Sequence, residues 1–532
     1  MSNIEPSSGG TPAPSGDDAG AAVAKRDSAV KKHVRGSLLL LVGRGVGVLL
    51  NLAVQVLLVR ALSVSEYGSF AFGLSVAAMG ATLVGIGLDK GVSRFVSMYE
   101  ERGQYGEMAG VIVLSLLLVL ATGTSAVGLV YLLSPWLGAV VPDDISLSVL
   151  LILVCLLPAD ALDIVMMQLL AIFASAKALA IRRHIVTPAL RLAAVGSLIF
   201  FGQSVNFLAF AWVLAVLVST TLSGLIIFHA VRKRALLEWF RPHSIRLMPG
   251  RLLRFSVPLV SSDFSLVVRN QLVPVLLGVL QTASAVASYR AVLPVARLNL
   301  FVSEVFKTLF LPAVGRMYAV NDYRGIRELY WGTCAWILVL TYPIFLVTFM
   351  LAEPLSILLF GDRYSGSGVI MRWLAVGFFT NAVITNNTIS LQQMSGNVRQ
   401  VVLIDSLTLI AALGLTFTLI SAYGALGGAM AHLFTAGVRS VASLALMEGS
   451  KGVGLPTRAF VRIATVAFVT ALAVLFVEAA FDAPLTVLVP LVGVAAVAVL
   501  LRGAQDLNLA STFPELLRIP LIRRMIHGGQ RN

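Results

Sequence analysis

Between Ser37 and Arg502 the chain alternates long apolar runs with short polar breaks. Within each run the apolar positions are continuous and do not skip every second residue, so the pattern is that of helices rather than of lipid-facing strands. A helix needs about 20 apolar residues to cross a hydrocarbon core about 30 Å thick. Fourteen runs meet or approach that length: 37–59, 66–88, 108–131, 147–173, 185–201, 206–230, 255–281, 285–311, 331–352, 369–391, 401–421, 425–447, 459–481 and 484–502. The pattern therefore predicts an all-α, polytopic membrane protein with about 14 transmembrane helices. Residues 1–36, rich in Ser, Gly, Pro, Ala and Asp and ending in KRDSAVKKHVR, cannot bury a core. They are expected to form a disordered basic tail, with no signal-peptide cleavage site before the first run. Residues 503–532 contain FPELLRIPLIRRMIHGG, too short and too basic to span; an amphipathic tail along the membrane surface is expected.

The polar breaks divide the apolar runs. VRKRALLEWFRPHSIRLMPGRLLR, within the linker 231–254, carries seven Lys and Arg residues and separates six spans in 37–230 from six in 255–447. Two further helices follow in 459–502. An internal echo supports this division: NLAVQVLLVRALSVSEYGSF, from Asn51, aligns without gaps to NQLVPVLLGVLQTASAVASY, from Asn270, with seven of twenty positions identical. Both segments bridge the first and second spans of their group. Six is even, so the two lobes share an orientation and should be related by a pseudo-two-fold axis along the membrane normal.

Composition agrees with the pattern: 58% of residues are hydrophobic and 12% charged, against roughly 25% charged in soluble domains. The net charge of +14 would invite a nucleic-acid reading in a soluble chain. Here its distribution explains it. With the N-terminus in the cytoplasm, about thirty of the 40 Lys and Arg fall in inner loops and tails, as the positive-inside rule requires. A multi-pass protein of a bacterial cytoplasmic membrane is expected, with both termini inside, attraction to anionic membrane lipids and no nucleic-acid partner.

Several chemistries drop out. Cys155 and Cys334 lie in apolar runs and read as small hydrophobes. The six histidines have no metal-ligand spacing and no GxxxxGK[ST] loop exists, so neither metal nor cofactor is expected. Asn386-Asn387-Thr388 matches a glycosylation pattern but falls inside a span.

Charges inside spans are costly and point to function. Arg269 lies near the middle of 255–281. Arg290, Arg297 and Glu304 stand seven residues apart, nearly two turns, and are expected to form one stripe on one helical face. Arg44 sits among Gly43, Gly45 and Gly47, with Asn51 and Gln55 extending its polar face; the glycines allow close packing and bending. Pro258 and Pro274 break the first span of the second group. Two readings stand side by side. These groups line a cavity, or they form structural ion pairs such as Arg297 with Glu304 and Arg269 with Asp263. Asp160 and Asp163, behind Pro158 in mid-span, read either as a proton or cation site or as counter-ions of an arginine. Arg372, Arg439, Lys307 and Arg191 lie near helix ends and read as snorkelling or locally paired, with Asp405 a local partner. The candidate substrate-binding set is thus Arg44, Asn51, Arg269, Arg290 and Arg297, and the candidate ion-coupling set Asp160, Asp163 and Glu304.

RALSVSEYGSF, Arg60 to Phe70, resembles the R-x-L-x-x-x-E-[YF]-G-x-[FY] turn after the first helix of Wzx-like polysaccharide flippases, a branch of the multidrug/oligosaccharidyl-lipid/polysaccharide (MATE-like) superfamily. GIGLDKGVSRF, SYRAVLP, LPAVGRMY, PLSILLFGDRYSGS and YGALGGAMA follow in the family's order. The resemblance implies a two-lobed bundle that flips an undecaprenyl-diphosphate-linked oligosaccharide for O-antigen, capsule or exopolysaccharide synthesis. It also implies a cationic cavity, and a polymerase and glycosyltransferases as partners. Arg60, Glu66, Asp89 and Arg94 fall on the motifs at helix ends and read as structural, Glu66 and Arg60 closing a short outer turn. A drug or metabolite antiporter of the same superfamily is the alternative, though cationic drugs favour carboxylates over arginines. A membrane glycan polymerase or glycosyltransferase would need catalytic acids on a sizeable loop, and the outer loops are short.

Overall fold

The computed structural model describes residues 43–507 except 139–140, 142, 203, 395–397, 449–453 and 482. The expected N-terminal tail and all but the start of the C-terminal one lie outside the described residues. Within them the chain is helical, with no strand. Helices α1 (Gly43–Ala61), α2 (Val64–Val84), α4 (Tyr105–Leu132), α5 (Asp144–Phe173), α6 (Lys177–Phe201) and α7 (Val205–Lys233) precede the basic linker. The short helix α3 (Leu88–Glu101) lies between α2 and α4. After the linker come α8 (Pro249–Leu280), α9 (283–319), α10 (Tyr323–Met350), the short α11 (Ala352–Phe360) and α12 (Ser367–Gln392).

The next helical stretch, Val398–Glu448, is two helices, α13 (398–423) and α14 (425–448). Gly424 has φ 56° and ψ −131°, outside helical space. Asp405 and Arg439 form an ion pair, although 34 residues of continuous helix would set them about 50 Å apart at 1.5 Å per residue. The chain therefore folds back at Gly424. With α15 (Arg458–Phe481) and α16 (Leu485–Asp506), thirteen apolar stretches, one of them a hairpin, give the fourteen crossings read from the sequence.

The echoed segments share local structure. Ser63 accepts from the Glu66 N–H to cap α2, and Thr282, its aligned counterpart, accepts from the Ala285 N–H to cap α9. Glu66 completes a capping box with Ser63 and does not pair with Arg60. The expected span 66–88 ends early: α2 stops at Val84, and Gly87, at φ 62°, starts the separate amphipathic α3.

The two groups of six touch at both ends. At the end away from the linker, α2 lies on α8 and α9: a Cβ at Gly68 would stand 1.8 Å from the Ala283 carbonyl oxygen, and the Phe72 ring fills the space beside Gly278. Arg60 there donates to the Leu358 and Leu359 carbonyls at 2.6 and 2.8 Å, and Arg363 to those of Val59 and Arg60 at 3.1 and 2.7 Å. These are the open C-terminal carbonyls of α11 and α1, so each arginine caps a helix of the opposite group. At the linker end, α3 meets α8 through Gly87 and Gly91 against Ser256, and through Lys90–Asp263 at 2.6 Å. As a result the larger apolar cluster crosses the linker boundary, taking in Leu277, Val286, Val292 and Met371 together with Phe70 and Leu88. A second cluster joins α10 to α15 and α16.

The linker is docked rather than free. The Arg246 N–H donates to the Gly106 carbonyl at 3.1 Å, its side chain pairs with Glu107, and a Cβ at Gly110 would meet the Arg246 carbonyl oxygen at 2.0 Å.

Gly68→Ala should destabilise this packing by about 1–3 kcal/mol, the usual range for overpacking, because backbone has to move. Gly128→Ala, with nothing within 4 Å of the new Cβ, should leave the thermal midpoint of the purified protein at its parental value.

Candidate functional site

A cavity of about 390 Å³ lies between α1 and α9. Arg44, Val48, Asn51 and Leu52 line it from α1, at the spacing of one helical face. Pro294, Arg297, Leu298, Leu300, Phe301 and Glu304 line it from α9. Four of the eight predicted site residues therefore share one wall system: Arg44, Asn51, Arg297 and Glu304. Arg44 Nη2 meets Glu304 Oε2 at 3.2 Å, and its Nη1 donates to the Glu304 carbonyl at 3.4 Å. The contact spans 260 residues and joins the two halves. Asn51 donates to the Gly47 carbonyl at 2.7 Å, within its own helix.

Arg297, like Asn51, is exposed, and what it faces is the cavity. Its guanidinium carbon stands 5.8 Å from the centre of the Phe378 ring, a cation–π contact. Among the described residues no carboxylate pairs with Arg297 or with Arg290.

The predicted stripe does not hold as one surface. Arg297 and Glu304 line the cavity and Arg290 does not. After Pro294 the helix tightens to a 3-10 turn at Arg297–Leu300. That turn lies between Arg297 and Glu304, which still share the cavity; Arg290 stands seven residues before Arg297, about 10 Å along the helix, and falls outside the lining. Arg290 sits instead where Gln55 donates to its carbonyl at 3.2 Å and to the Tyr67 hydroxyl at 2.6 Å.

The expected ion pairs are also redistributed. Glu304 pairs with Arg44 rather than Arg297, and Asp263 with Lys90 rather than Arg269. Arg269 does not line the cavity. It meets Asp405 Oδ1 at 3.5 Å, while Arg439 meets the same oxygen at 2.6 Å. Sequence spacing could not show this, because the partners lie on α8, α13 and α14. Arg372 pairs with Glu478 and so ties α12 to α15.

Asp160 and Asp163 share a small cleft with Thr187, Arg191 and Ser219. Its volume, about 20 Å³, suits one water. Asp163 is held through one oxygen: its Oδ1 pairs with the buried Arg182 and accepts from Thr220 at 2.8 Å. Arg182 also donates to Ser223 and Thr187 at 2.8 and 2.9 Å. Sequence reading missed Arg182 because it precedes the expected start of its span. The structure places it in a π-helical turn, Arg182–Val186. Arg191 stacks over Trp212 at 5.2 Å, and Asp160 receives no hydrogen bond among the described residues.

A second inter-half cleft, about 210 Å³, is lined by Asp89 and Asp263 beside Lys90. Burial pushes the Asp89 carboxyl above its ordinary value, the neighbouring Asp263 adds to this, and Lys90 opposes it.

Residues 33–317 match a family described as polysaccharide biosynthesis protein. No curated protein matches the chain. Among solved structures, the lipid II flippase MurJ in an inward closed conformation is similar over 88% of this chain and 99% of its own, with 13% identity and a TM-score of 0.68. An inward-facing multidrug resistance MATE family transporter of the MOP superfamily is similar over 76% and 94%, with 15% identity and a TM-score of 0.64. The MATE multidrug transporter DinF-BH follows over 78% and 94%, with 15% identity and a TM-score of 0.57. At these identities the likeness is one of fold.

Asp405 balances two guanidiniums, so Asp405→Asn leaves two uncompensated charges in the bundle, whereas Arg269→Gln leaves a matched pair. The yield of monodisperse protein on size-exclusion chromatography should fall far more for Asp405→Asn than for Arg269→Gln.

Proposed function

Because the chain belongs to the polysaccharide biosynthesis protein family, we propose that it carries a lipid-linked oligosaccharide, held through its diphosphate, across the bacterial cytoplasmic membrane by alternating access. The observation that carries this reading is Arg297: a cavity-facing guanidinium within a membrane span, with no carboxylate partner among the described residues. A cation at that depth calls for an anionic ligand. A diphosphate crossing alone would leave water at high cost, and arginine offers it a permanent charge and a forked set of donors. Arg44 and Asn51 stand across the cavity to complete the hold, while the polyprenyl chain stays in lipid. Arg290 sits along α9 towards the opposite end, as a second cationic station.

In this reading Arg269 acts through the fold of α8, α13 and α14 rather than on the substrate. Asp160, free of hydrogen bonds among the described residues, is the group that would exchange a proton or cation. Asp163 is its fixed neighbour, held by Arg182. The basic linker faces the cytoplasm, so the Arg60–Arg363 end faces outward. The two groups of six move as lobes, with α15 and α16 carried on the second.

In cells that depend on this chain for surface polysaccharide, Arg297→Ala should abolish export at normal protein level. Arg44→Lys should retain part of it and Arg44→Ala less. Normal export by Arg297→Ala would refute the reading. Topology is checked separately in a cysteine-free background: a single cysteine at the exposed Ser365 should label from outside, and one at the exposed His243 should not. Asp160→Asn should lose the dependence of vesicle transport on a pH gradient, and Asp163→Asn should lose folded protein.

A further inference from the structure

The contact between Arg44 and Glu304 has features that a purely structural ion pair does not need. It is made by one Glu304 oxygen at 3.2 Å, with both side chains about one-third accessible (33% and 37%). Both residues line the same cavity as Arg297. It also joins α1 to α9, that is, one half of the molecule to the other. An accessible, single-oxygen pair of this kind is weak. A phosphate group, with more charge and a better match to the guanidinium fork, is a stronger partner for the same arginine.

We infer that Glu304 is an exchange latch, a tethered carboxylate that holds Arg44 while the cavity is empty and yields it to the second phosphate of the ligand. This rests on the reading that the cavity holds a lipid-linked diphosphate. One phosphate is met by Arg297 alone, with the Arg44–Glu304 pair intact. A diphosphate reaches Arg44 only by displacing Glu304. Loading then breaks the contact between α1 and α9 at the linker end, and unloading restores it, so occupancy sets whether the two halves are tied.

The charges re-pair on loading, and Arg297 is left unmatched in the empty cavity. Empty, Arg44 and Glu304 neutralise each other. Loaded, Arg44 and Arg297 together match the two charges of a sugar-bearing diphosphate. The released Glu304 has Lys307 three residues on, on the same helical face, and Lys307 makes no ion pair among the described residues. Arg44 Nη1 also donates to the Glu304 backbone carbonyl, at 3.4 Å the longer of its two bonds, and gives it up to the phosphate together with the carboxylate, so that α1 is released from α9.

The test uses the full chain in nanodiscs, with farnesyl diphosphate and farnesyl phosphate as probes and dissociation constants read by calorimetry. Glu304→Gln should bind farnesyl diphosphate about tenfold more tightly than the parent, and farnesyl phosphate within about threefold. Glu304→Asp, whose shorter carboxylate falls short of Arg44, should behave alike and serves if the first variant folds poorly. In an Arg44→Ala background, Glu304→Gln should change neither constant. If Glu304→Gln instead tightens diphosphate binding equally in that background, Glu304 acts by repulsion alone and the latch is wrong. Unchanged binding in both Glu304 variants also overturns it. Arg297→Ala separates the two ideas: loss of both probes with an unresponsive Glu304 rejects only the latch, whereas parental binding by Arg297→Ala rejects the cavity reading itself.

Discussion

A guanidinium inside a membrane has to be solvated by something the protein supplies, and much of this architecture follows from how that demand is met. Three embedded clusters meet it with carboxylates brought from other helices: Arg182 with Asp163, Arg269 and Arg439 with Asp405, and Arg372 with Glu478. Each clasps separate helices, so neutralising the charge also fixes the packing. Arg44 is met across the two halves by a carboxylate that water can reach. Arg297 has only an aromatic face and the cavity. Those guanidiniums are paired with carboxylates inside the bundle, while that of Arg297 is left facing the cavity between α1 and α9.

How far this is legible in the sequence depends on the range of the interaction concerned. Spans follow from local composition, and fourteen crossings emerge with end shifts of a few residues. The Gly424 reversal is visible as a polar interruption, and the repeat from Asn51 and Asn270 carries equivalent caps at Ser63 and Thr282. Charged residues at depth are visible too. Their partners are not, because a partner is set by which helices meet. Local spacing offers Asp263 to Arg269 as a neighbour on the same helix, yet the carboxylate that meets Arg269 is Asp405, on α13. Spacing likewise puts Arg290 on one face with Arg297 and Glu304, but it does not say how far along that face the cavity reaches, and Arg290, about 10 Å from Arg297 along the helix, lies outside its lining. Arg182 goes unread because it stands three residues before the expected start of its span, 185–201.

The contacts that close the two ends differ in kind, and the difference gives the molecule a direction. At the Arg60–Arg363 end, closure uses main chain: arginines on helix C-terminal carbonyls, and Gly68 laid against the Ala283 carbonyl. Such contacts depend on backbone position and tolerate little displacement. At the linker end, α3 does pack closely on α8 through Gly87 and Gly91, but the polar ties, Lys90–Asp263 and Arg44–Glu304, are side-chain pairs about one-third accessible. Pairs of that kind are weak and rearrange by rotamer. Under the proposed alternating access the docked linker would move with the helices it grips, α4 among them, and relative motion of the halves would be absorbed beyond it, within α8, where Pro258 and Pro274 interrupt the hydrogen-bond ladder. Asp263 lies little more than one turn beyond Pro258, so the Lys90 pair sits beside that interruption. Under the proposed alternating access, a hinge there, with weak polar ties on its own side and main-chain contacts at the other, would let the linker end loosen while the opposite end stays shut. An anion drawn to Arg297 would then meet an opening on one side of the membrane only, the condition alternating access requires.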